Sequence, residues 1–288
     1  MRDTPGRSVA VGFFDGLHLG HRAILRGADA ALTFRQHPLT VLAPERAPRL
    51  LMSAEDRIAA IGACVGEVRA LDFTRELADL PAEGFIGILR ETAAGAPLKV
   101  RCGANWRFGK GGEGDAAFLR ERGIAVEVVD YATYGGEPVS SSRIRRCLES
   151  GDVEAANAML GRAFEVTGTA FAGKGRGAGM GFPTINIRLS RPVSLRLGVY
   201  AVEMAGRRGV ANFGHAPTMG DAAWREPVFE VHLLEGIPDG AAPVAGPVRI
   251  LRFIRDERTF DSVDGLTRQI AADCAAARIR AESSTPMP

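Results

Sequence analysis

Short apolar runs alternate with amphipathic stretches through the first half of this chain, and that alternation sets the first expectation. The runs Val9 to Phe13, Ala30 to Phe34, Glu67 to Leu71, Leu98 to Cys102 and Ala125 to Val129 predict strands. Helical spacing falls between them, at Arg22–Arg26, Ser53–Ala63, Pro81–Glu91, Ala116–Glu121 and Ser142–Leu148. Ser53-Ala-Glu-Asp56 has the polar opening of a capped helix. Strands alternating with helices predict βαβ units and a mostly parallel sheet. Such sheets bind ligands beyond the carboxyl ends of their strands, so the residues just after each run are where chemistry is expected.

The pattern changes near Leu160-Gly161-Arg162. Glycines crowd Gly173 to Gly181, and strand-like segments recur at Phe164–Phe171, Gly198–Met204, Arg208–Phe213, Val228–Leu234 and Val248–Ile254. Their close spacing, with Gly- and Pro-rich turns, predicts an antiparallel barrel or sandwich. A last helix is expected from about Val263 to Arg280, where Leu266, Ile270 and Cys274 share a face, and the tail 283–288 is expected to fray. The stretch Ser142 to Leu160, interrupted at Ser150-Gly151-Asp152, joins the halves as ordered helix, with Asp152 able to cap its second piece. Two domains are expected, residues 1–158 and 159–288.

Composition narrows the partners. A chain of 288 residues, 46% of them hydrophobic, suits two domains with ample cores. Its formal net charge of +2 supplies no basic field for a nucleic acid. No apolar run is long enough for a transmembrane helix, and the first residues pass straight into a strand pattern, without the core of a signal peptide. Cys64, Cys102, Cys147 and Cys274 form no Cys-x-x-Cys pair, so reduced, mostly buried thiols in a cytoplasmic protein are expected, with no zinc site.

Chemistry concentrates in a few runs. Val9-Ala-Val-Gly-Phe-Phe-Asp-Gly-Leu-His-Leu-Gly-His21 is an apolar strand, a glycine-containing turn and a helix start, a frame that points backbone N–H groups and a helix dipole at an anion. His18 and His21 add directional donors there; a lone His-x-x-His also occurs as core residues or incidental metal ligands. Leu32-Thr-Phe-Arg-Gln-His-Pro38 places His37 and Pro38 just after a strand. Gly103 to Asp115 follows another strand and mixes aromatic, basic and glycine residues, as a ligand loop or a plain hairpin would. Val139-Ser-Ser-Ser-Arg-Ile-Arg145 sets three hydroxyls and two guanidinium groups at a helix start, either a triphosphate clamp or a serine cap with solvated arginines.

In the second half, Gly181-Phe-Pro-Thr-Ile-Asn186 projects Thr184 and Asn186 to one side of an extended chain, and their oxygens are hard ligands suited to Mg²⁺ carrying ATP phosphates. Phe229-Glu-Val-His-Leu233 alternates, so Glu230 and His232 share a face opposite Phe229, Val231 and Leu233. A strand carboxylate beside a phosphate site can act as a general base, although most exposed ones are merely solvated.

Taken in order, these runs resemble the bacterial bifunctional riboflavin kinase/FMN adenylyltransferase family, also called FAD synthetases. The matching stretches are 12–21, Thr-Phe-x-x-His-Pro (33–38), Arg-Phe-Gly-Lys (107–110), Ser-Ser-Ser-Arg-Ile-Arg (140–145), 181–186, Gly-Val-Tyr-Ala-Val (198–202), Val-Ala-Asn-Phe-Gly-His-Ala-Pro-Thr (210–218) and Glu-Val-His-Leu-Leu (230–234). The resemblance implies an α/β Rossmann-like nucleotidyltransferase domain followed by a six-stranded antiparallel riboflavin-kinase barrel with a C-terminal helix. It implies riboflavin, FMN, FAD and ATP as ligands, with Mg²⁺. Thr184 and Asn186 would hold Mg²⁺–ATP near Gly181, and Glu230 would take the proton of the attacking riboflavin hydroxyl. The loop Gly173–Gly181 and the segment Gly214–Thr218 would fold over the ligands. His18 and His21 would stabilise charge on ATP while FMN attacks, with Gly12, Phe13, Asp15, Gly20, Ser141, Ser142 and Arg145 around the nucleotide. His37, Asn105, Arg107 and Phe108 would contact the flavin.

Some positions depart from the family. The segment from His21 to Ala31 is shorter than usual, so the first crossover helix must be brief, though a crossover of about a dozen residues still closes a parallel pair. Ser142 replaces a usual threonine, Arg35-Gln36 replaces a common Glu-Pro, and Ala178-Gly179 stand where arginine and threonine are frequent. A riboflavin kinase whose first module only binds nucleotide or flavin, in a regulatory role, is the alternative those departures suggest. An adenylyl- or cytidylyltransferase for another phosphorylated alcohol is a third reading, which leaves the second half unexplained.

Overall fold

A computed structural model describes residues 6–172, 176–215, 227–236 and 246–279, without the side chains of 176 and 178. Of the expectations above, those on 173–175, 216–218, residue 280 and the tail 283–288 lie outside these residues. The chain divides into two compact units, 1–141 and 142–288.

In the first unit, strands β1 (Arg7–Val11), β2 (Ala30–Phe34), β3 (Glu67–Leu71), β4 (Leu98–Gly103) and β5 (Ala125–Val129) form one sheet in the order β3-β2-β1-β4-β5. Every pairing is parallel. Helices α1 (Leu19–Leu25), α2 (Leu39–Leu42), α3 (Ala54–Gly62), α4 (Arg75–Ala78), α5 (Ala82–Thr92) and α6 (Ala116–Glu121) connect the strands. Alternation along β1 sends Val9 and Val11 to one face, with Leu32, Phe85 and Leu89, and Ala10 to the other, with Leu25 and Ile61. Burying each such large side chain contributes ~1.5–3 kcal/mol, which is why the sheet is covered on both faces. The strand order reverses between β1 and β4, and the loops leaving their carboxyl ends flank the crevice where ligands of such sheets bind. A small hairpin, β6 (Thr133–Tyr134) and β7 (Glu137–Pro138), precedes the end of the unit.

The second unit begins with α7 (Ser141–Ser150, whose first residue closes the first unit) and α8 (Val153–Leu160). The division expected after residue 158 lies within α8. That helix is fastened to the following sheet: Asn157 Nδ2 donates to the Ile250 carbonyl at 2.9 Å, and Asn157 Oδ1 accepts from Phe164 N–H at 2.7 Å.

Strands β8 (Phe164–Val166), β9 (Gly168–Phe171), β10 (Ile185–Leu189), β11 (Gly198–Met204), β12 (Arg207–Gly214), β13 (Val228–Leu233) and β14 (Val248–Arg255) form one antiparallel sheet in the order β8-β14-β11-β12-β13-β10-β9. Seven strands replace the expected six because the expected Phe164–Phe171 strand bends at Thr167. Its halves lie at opposite edges of the sheet, β8 on β14 and β9 on β10. One residue cannot bridge two distant edges, so the sheet curls until they meet at Thr167. Gly168 stands at this seam, where a Cβ would lie 2.2 Å from the Arg188 carbonyl oxygen. The concave face is filled by Ile187, Tyr200, Phe213, Phe229 and Val231, with Phe213 and Phe229 stacked at 4.7 Å. A short turn, α9 (Arg176–Gly179), precedes β10, and α10 (Val263–Arg278) covers Val199, Ala201 and Val210 on the convex face.

Among the described residues the cysteines are free, as expected. Cys102 and Cys274 are buried, Cys147 is half-buried and Cys64 is exposed, so burial holds for only part of the set.

Candidate active sites

The first site is built on the turn after β1. Phe14 (φ 59), Gly16 (φ 79) and Leu17 (φ 44) hold left-handed backbone there, two of them with side chains that make it costly. Phe14 turns back into the core, across the space a Cβ on Gly12 would fill, 2.9 Å from its ring. This bend delivers His18 as the cap of α1: its Nδ1 accepts from His21 N–H at 3.3 Å. With Nδ1 accepting, the neutral ring carries its proton on Nε2. Histidine is not a usual cap, so the sequence pattern does not mark the helix start at Leu19, which precedes the expected Arg22. The His18 and His21 rings stack with centroids 3.5 Å apart. Gly20 permits this approach, since a Cβ there would lie 3.2 Å from the His18 ring.

The pair is largely withdrawn from solvent, with His18 only 5% exposed. Desolvation lowers the His18 pKa to about 4, and burial, His18 and then Arg57 hold His21 well below its usual value. Both rings are therefore neutral at pH 7. Each ring has an N–H to donate and carries no charge.

The second site lies across three strands. Asn186 on β10 stands directly opposite Glu230 on β13, which stands opposite Asn212 on β12. Directly opposed residues share a face with Cβ atoms ~5 Å apart, so a carboxylate is flanked by two amides. The row lies on the convex face, because Ile185, Ile187, Phe229 and Val231 alternate with it and are buried. His232 on the same face donates from Nδ1 to the Pro183 carbonyl at 2.9 Å, and its ring meets Phe182 edge-on at 5.3 Å. These contacts fasten the turn that carries Thr184. Gly177 packs close by, a Cβ there lying 3.4 Å from the Thr184 hydroxyl.

Two such sites in one chain have a counterpart among known proteins. Family models described as FAD synthetase and riboflavin kinase match residues 1–143 and 160–280. The bifunctional riboflavin kinase/FMN adenylyltransferase of Escherichia coli (strain K12) is 34% identical, covering 95% of this chain and 92% of that one. The chain belongs to this family. The Bacillus subtilis (strain 168) member is 31% identical, with 95% and 92% covered. A crystal structure of a macrolide-efflux protein from Streptococcus pneumoniae superposes with a TM-score of 0.80, 29% identity and 96% of each chain covered. Among the described residues here, no helix is long and apolar enough to cross a membrane.

Within this family frame the expected residues are distributed unevenly. Gly12, Phe13, Gly20, His18, His21 and His37 gather at the carboxyl ends of β1 and β2, where the Phe13 ring meets His37 edge-on at 4.9 Å. The Asp15 carboxylate is turned toward the chain, accepting from Leu51 N–H at 2.9 Å and Met52 N–H at 3.3 Å. It steers that loop, and a phosphate beside a carboxylate would be repelled. Ser141 donates to the Asp15 carbonyl at 2.9 Å, while Ser142 is exposed with Arg145 Nη1 3.5 Å from its hydroxyl.

In the loop after β4, Asn105 and Arg107 are exposed, Arg107 paired with Asp115. Phe108 departs from the expected flavin contact. It is 5% exposed and sits in the core, stacked on Trp106 at 4.7 Å and near Phe85 at 5.4 Å, which leaves its ring little surface for a ligand. In the second site Gly181 holds a left-handed turn (φ 84) ahead of Thr184.

Sequence reasoning passed over three residues. Asn212 lies in a quoted run, but only strand register aligns it with Glu230. Asn212 Nδ2 donates to Glu257 Oε1 at 3.2 Å, and Glu257 fills the space where a Cβ on Gly214 would stand; no local signal links positions so far apart. Arg57 reads as one more polar helix residue, yet its side chain is completely buried.

Proposed function

We propose that the first unit adenylylates FMN to FAD and the second phosphorylates riboflavin to FMN, each using its own ATP. The domains expected at 1–158 and 159–288 carry these roles. The observation that carries this reading is the coexistence of the Asn186–Glu230–Asn212 row with the stacked, neutral His18–His21 pair beyond β1.

In the kinase step Glu230 accepts the proton of the riboflavin 5′-hydroxyl as that oxygen attacks the γ-phosphorus, and ADP leaves. Thr184 and Asn186 supply neutral oxygen donors, a set that suits Mg²⁺ arriving with nucleotide phosphates better than a free ion. When bound, Mg²⁺ would neutralise phosphate charge there. Thr184 and Asn186 orient the triphosphate beneath Gly181 and the segment that follows Gly177.

In the adenylyl step an FMN phosphate oxygen attacks the α-phosphorus of ATP and pyrophosphate leaves. His18 and His21 donate N–H groups to phosphate oxygens, aided by the start of α1 and the backbone from Gly12 to Phe13. Ser141 takes its expected place on the triphosphate, and His37, Asn105 and Arg107 theirs on FMN. No covalent enzyme intermediate is needed, since positioning and electrostatics lower the barrier. A cytoplasmic location, with no nucleic-acid or membrane partner, belongs to the same reading.

Purified protein incubated with riboflavin, ATP and Mg²⁺, with flavins separated by chromatography, tests it. FMN and then FAD are expected. Glu230→Gln stops FMN formation and spares FAD formation from added FMN, and His21→Ala does the reverse. Loss of both activities in either variant contradicts separate sites. The seven-residue α1 favours one alternative, a first unit that binds nucleotide without turnover. ATP binding without pyrophosphate release in the presence of FMN would establish it instead.

A further inference from the structure

Arg57 occupies the fourth position of α3, and its side chain is completely buried. Nη1 donates to the Phe13 carbonyl at 2.9 Å and to the Thr33 hydroxyl at 3.1 Å. Nη2 donates to the carbonyls of Phe34 and Arg35 at 2.8 and 2.9 Å. The guanidinium lies 4.0 Å over the Phe13 ring, and Thr33 itself donates to the same Phe13 carbonyl at 3.3 Å.

Among the described residues no carboxylate forms an ion pair with it. Packing alone does not account for this side chain, because an apolar residue would fill the space without the cost of desolvating a charge. What a guanidinium adds is a planar fork that reaches two loops at once. One loop leads through Phe13 and Phe14 to His21, whose ring meets Phe14 edge-on at 5.4 Å. The other leads through Phe34 and Arg35 to His37, which meets Phe13. The first also contains the left-handed Phe14 and Leu17, a bend that persists only when its surroundings hold it.

We propose that Arg57 is a positioning residue for adenylyl transfer, a buried fork that ties the loop after β1 to the end of β2 and so sets where His21 and His37 present their rings. This rests on the proposed function of the first unit. The charge has a second consequence. The groups acting on His21 are His18 and Arg57, and Asp15 and Glu55 act in turn on Arg57. Removing the guanidinium takes away a cation that acts on His21, which makes His21 easier to protonate.

The test compares FAD formation from FMN and ATP in the wild-type chain and in Arg57→Met, Arg57→Lys and Thr33→Val. Arg57→Met is expected to lower kcat ~100-fold, the scale of a small misplacement of catalytic groups. Its acid limb of rate against pH should move toward neutrality. Arg57→Lys should recover part of the rate, because an ammonium reaches one loop but not both. Thr33→Val, which removes one anchor, should lower kcat several-fold with little change in KM.

A uniform loss of rate with an unmoved acid limb overturns the proposal, as does Arg57→Met at the wild-type rate. If Arg57→Met fails to fold, Thr33→Val decides, and a kcat within twofold of wild type overturns it. Absence of FAD from the wild-type chain overturns the functional reading itself, and this proposal with it.

Discussion

Lowering the pH from 7 to 5 should weaken the first unit through His18, by an amount set by its burial. The ring is 5% exposed and desolvation brings its pKa from 6.5 to about 4. Between those values the unfolded chain binds a proton that the folded one refuses, so stability rises with pH across the window. The contribution is complete above pH 6.5 and is lost as pH falls toward 4. At 1.36 kcal/mol per pH unit, integration from pH 7 to 5 gives a loss of about 2 kcal/mol.

His18→Asn isolates the effect, because asparagine still caps α1 through His21 N–H but does not titrate. Urea unfolding followed by Trp106 fluorescence, in a Trp224→Phe background that removes the chain's other tryptophan, reports the first unit alone. Wild type should lose about 2 kcal/mol more than His18→Asn over this range. Equal losses would refute the argument, since they would mean that the His18 ring is hydrated in the folded chain and its proton uptake unchanged by folding.

Three further outcomes follow from the second unit. Gly168→Ala places a Cβ 2.2 Å from the Arg188 carbonyl oxygen and 2.7 Å from Ile187, at the seam where the sheet closes, and should cost ~1–3 kcal/mol in denaturant unfolding. Asn157→Ala leaves Phe164 N–H and the Ile250 carbonyl without their side-chain partner and should cost ~1–3 kcal/mol in the same measurement. Asn212→Leu removes the amide that holds Glu257 and neighbours Glu230. It should slow riboflavin phosphorylation about tenfold while FAD formation from supplied FMN stays unchanged, as separated-flavin assays would read.

The parallel sheet was legible because its strands β1 and β2 are almost wholly buried and read as near-continuous apolar runs, while β3, β4 and β5 keep apolar positions between their charged ones; β2, β3 and β5 lie within the expected limits. The turn that carries His18 and His21 was legible because its glycines and its histidines fall within one short stretch. The start of α1 was not, because a histidine rather than a serine or aspartate caps it. Phe108 was misplaced because an aromatic residue in a basic, glycine-rich loop reads the same whether its ring faces a ligand or, as here, Phe85 and Trp106.

Local pattern by itself determined the alternation of elements, the change of architecture near residue 160, and the short motifs that carry the chemistry. Those properties depend on neighbours a few residues apart, and periodicity records them. Tertiary structure decided the rest: the bend at Thr167 that brings opposite edges of a sheet together, the register that sets Asn212 beside Glu230, the meeting of Glu257 with Asn212, and the burial that keeps His18 neutral. Each of these requires residues distant in sequence to share a place from which water is excluded or in which strands align, and nothing in the local order of side chains encodes that meeting.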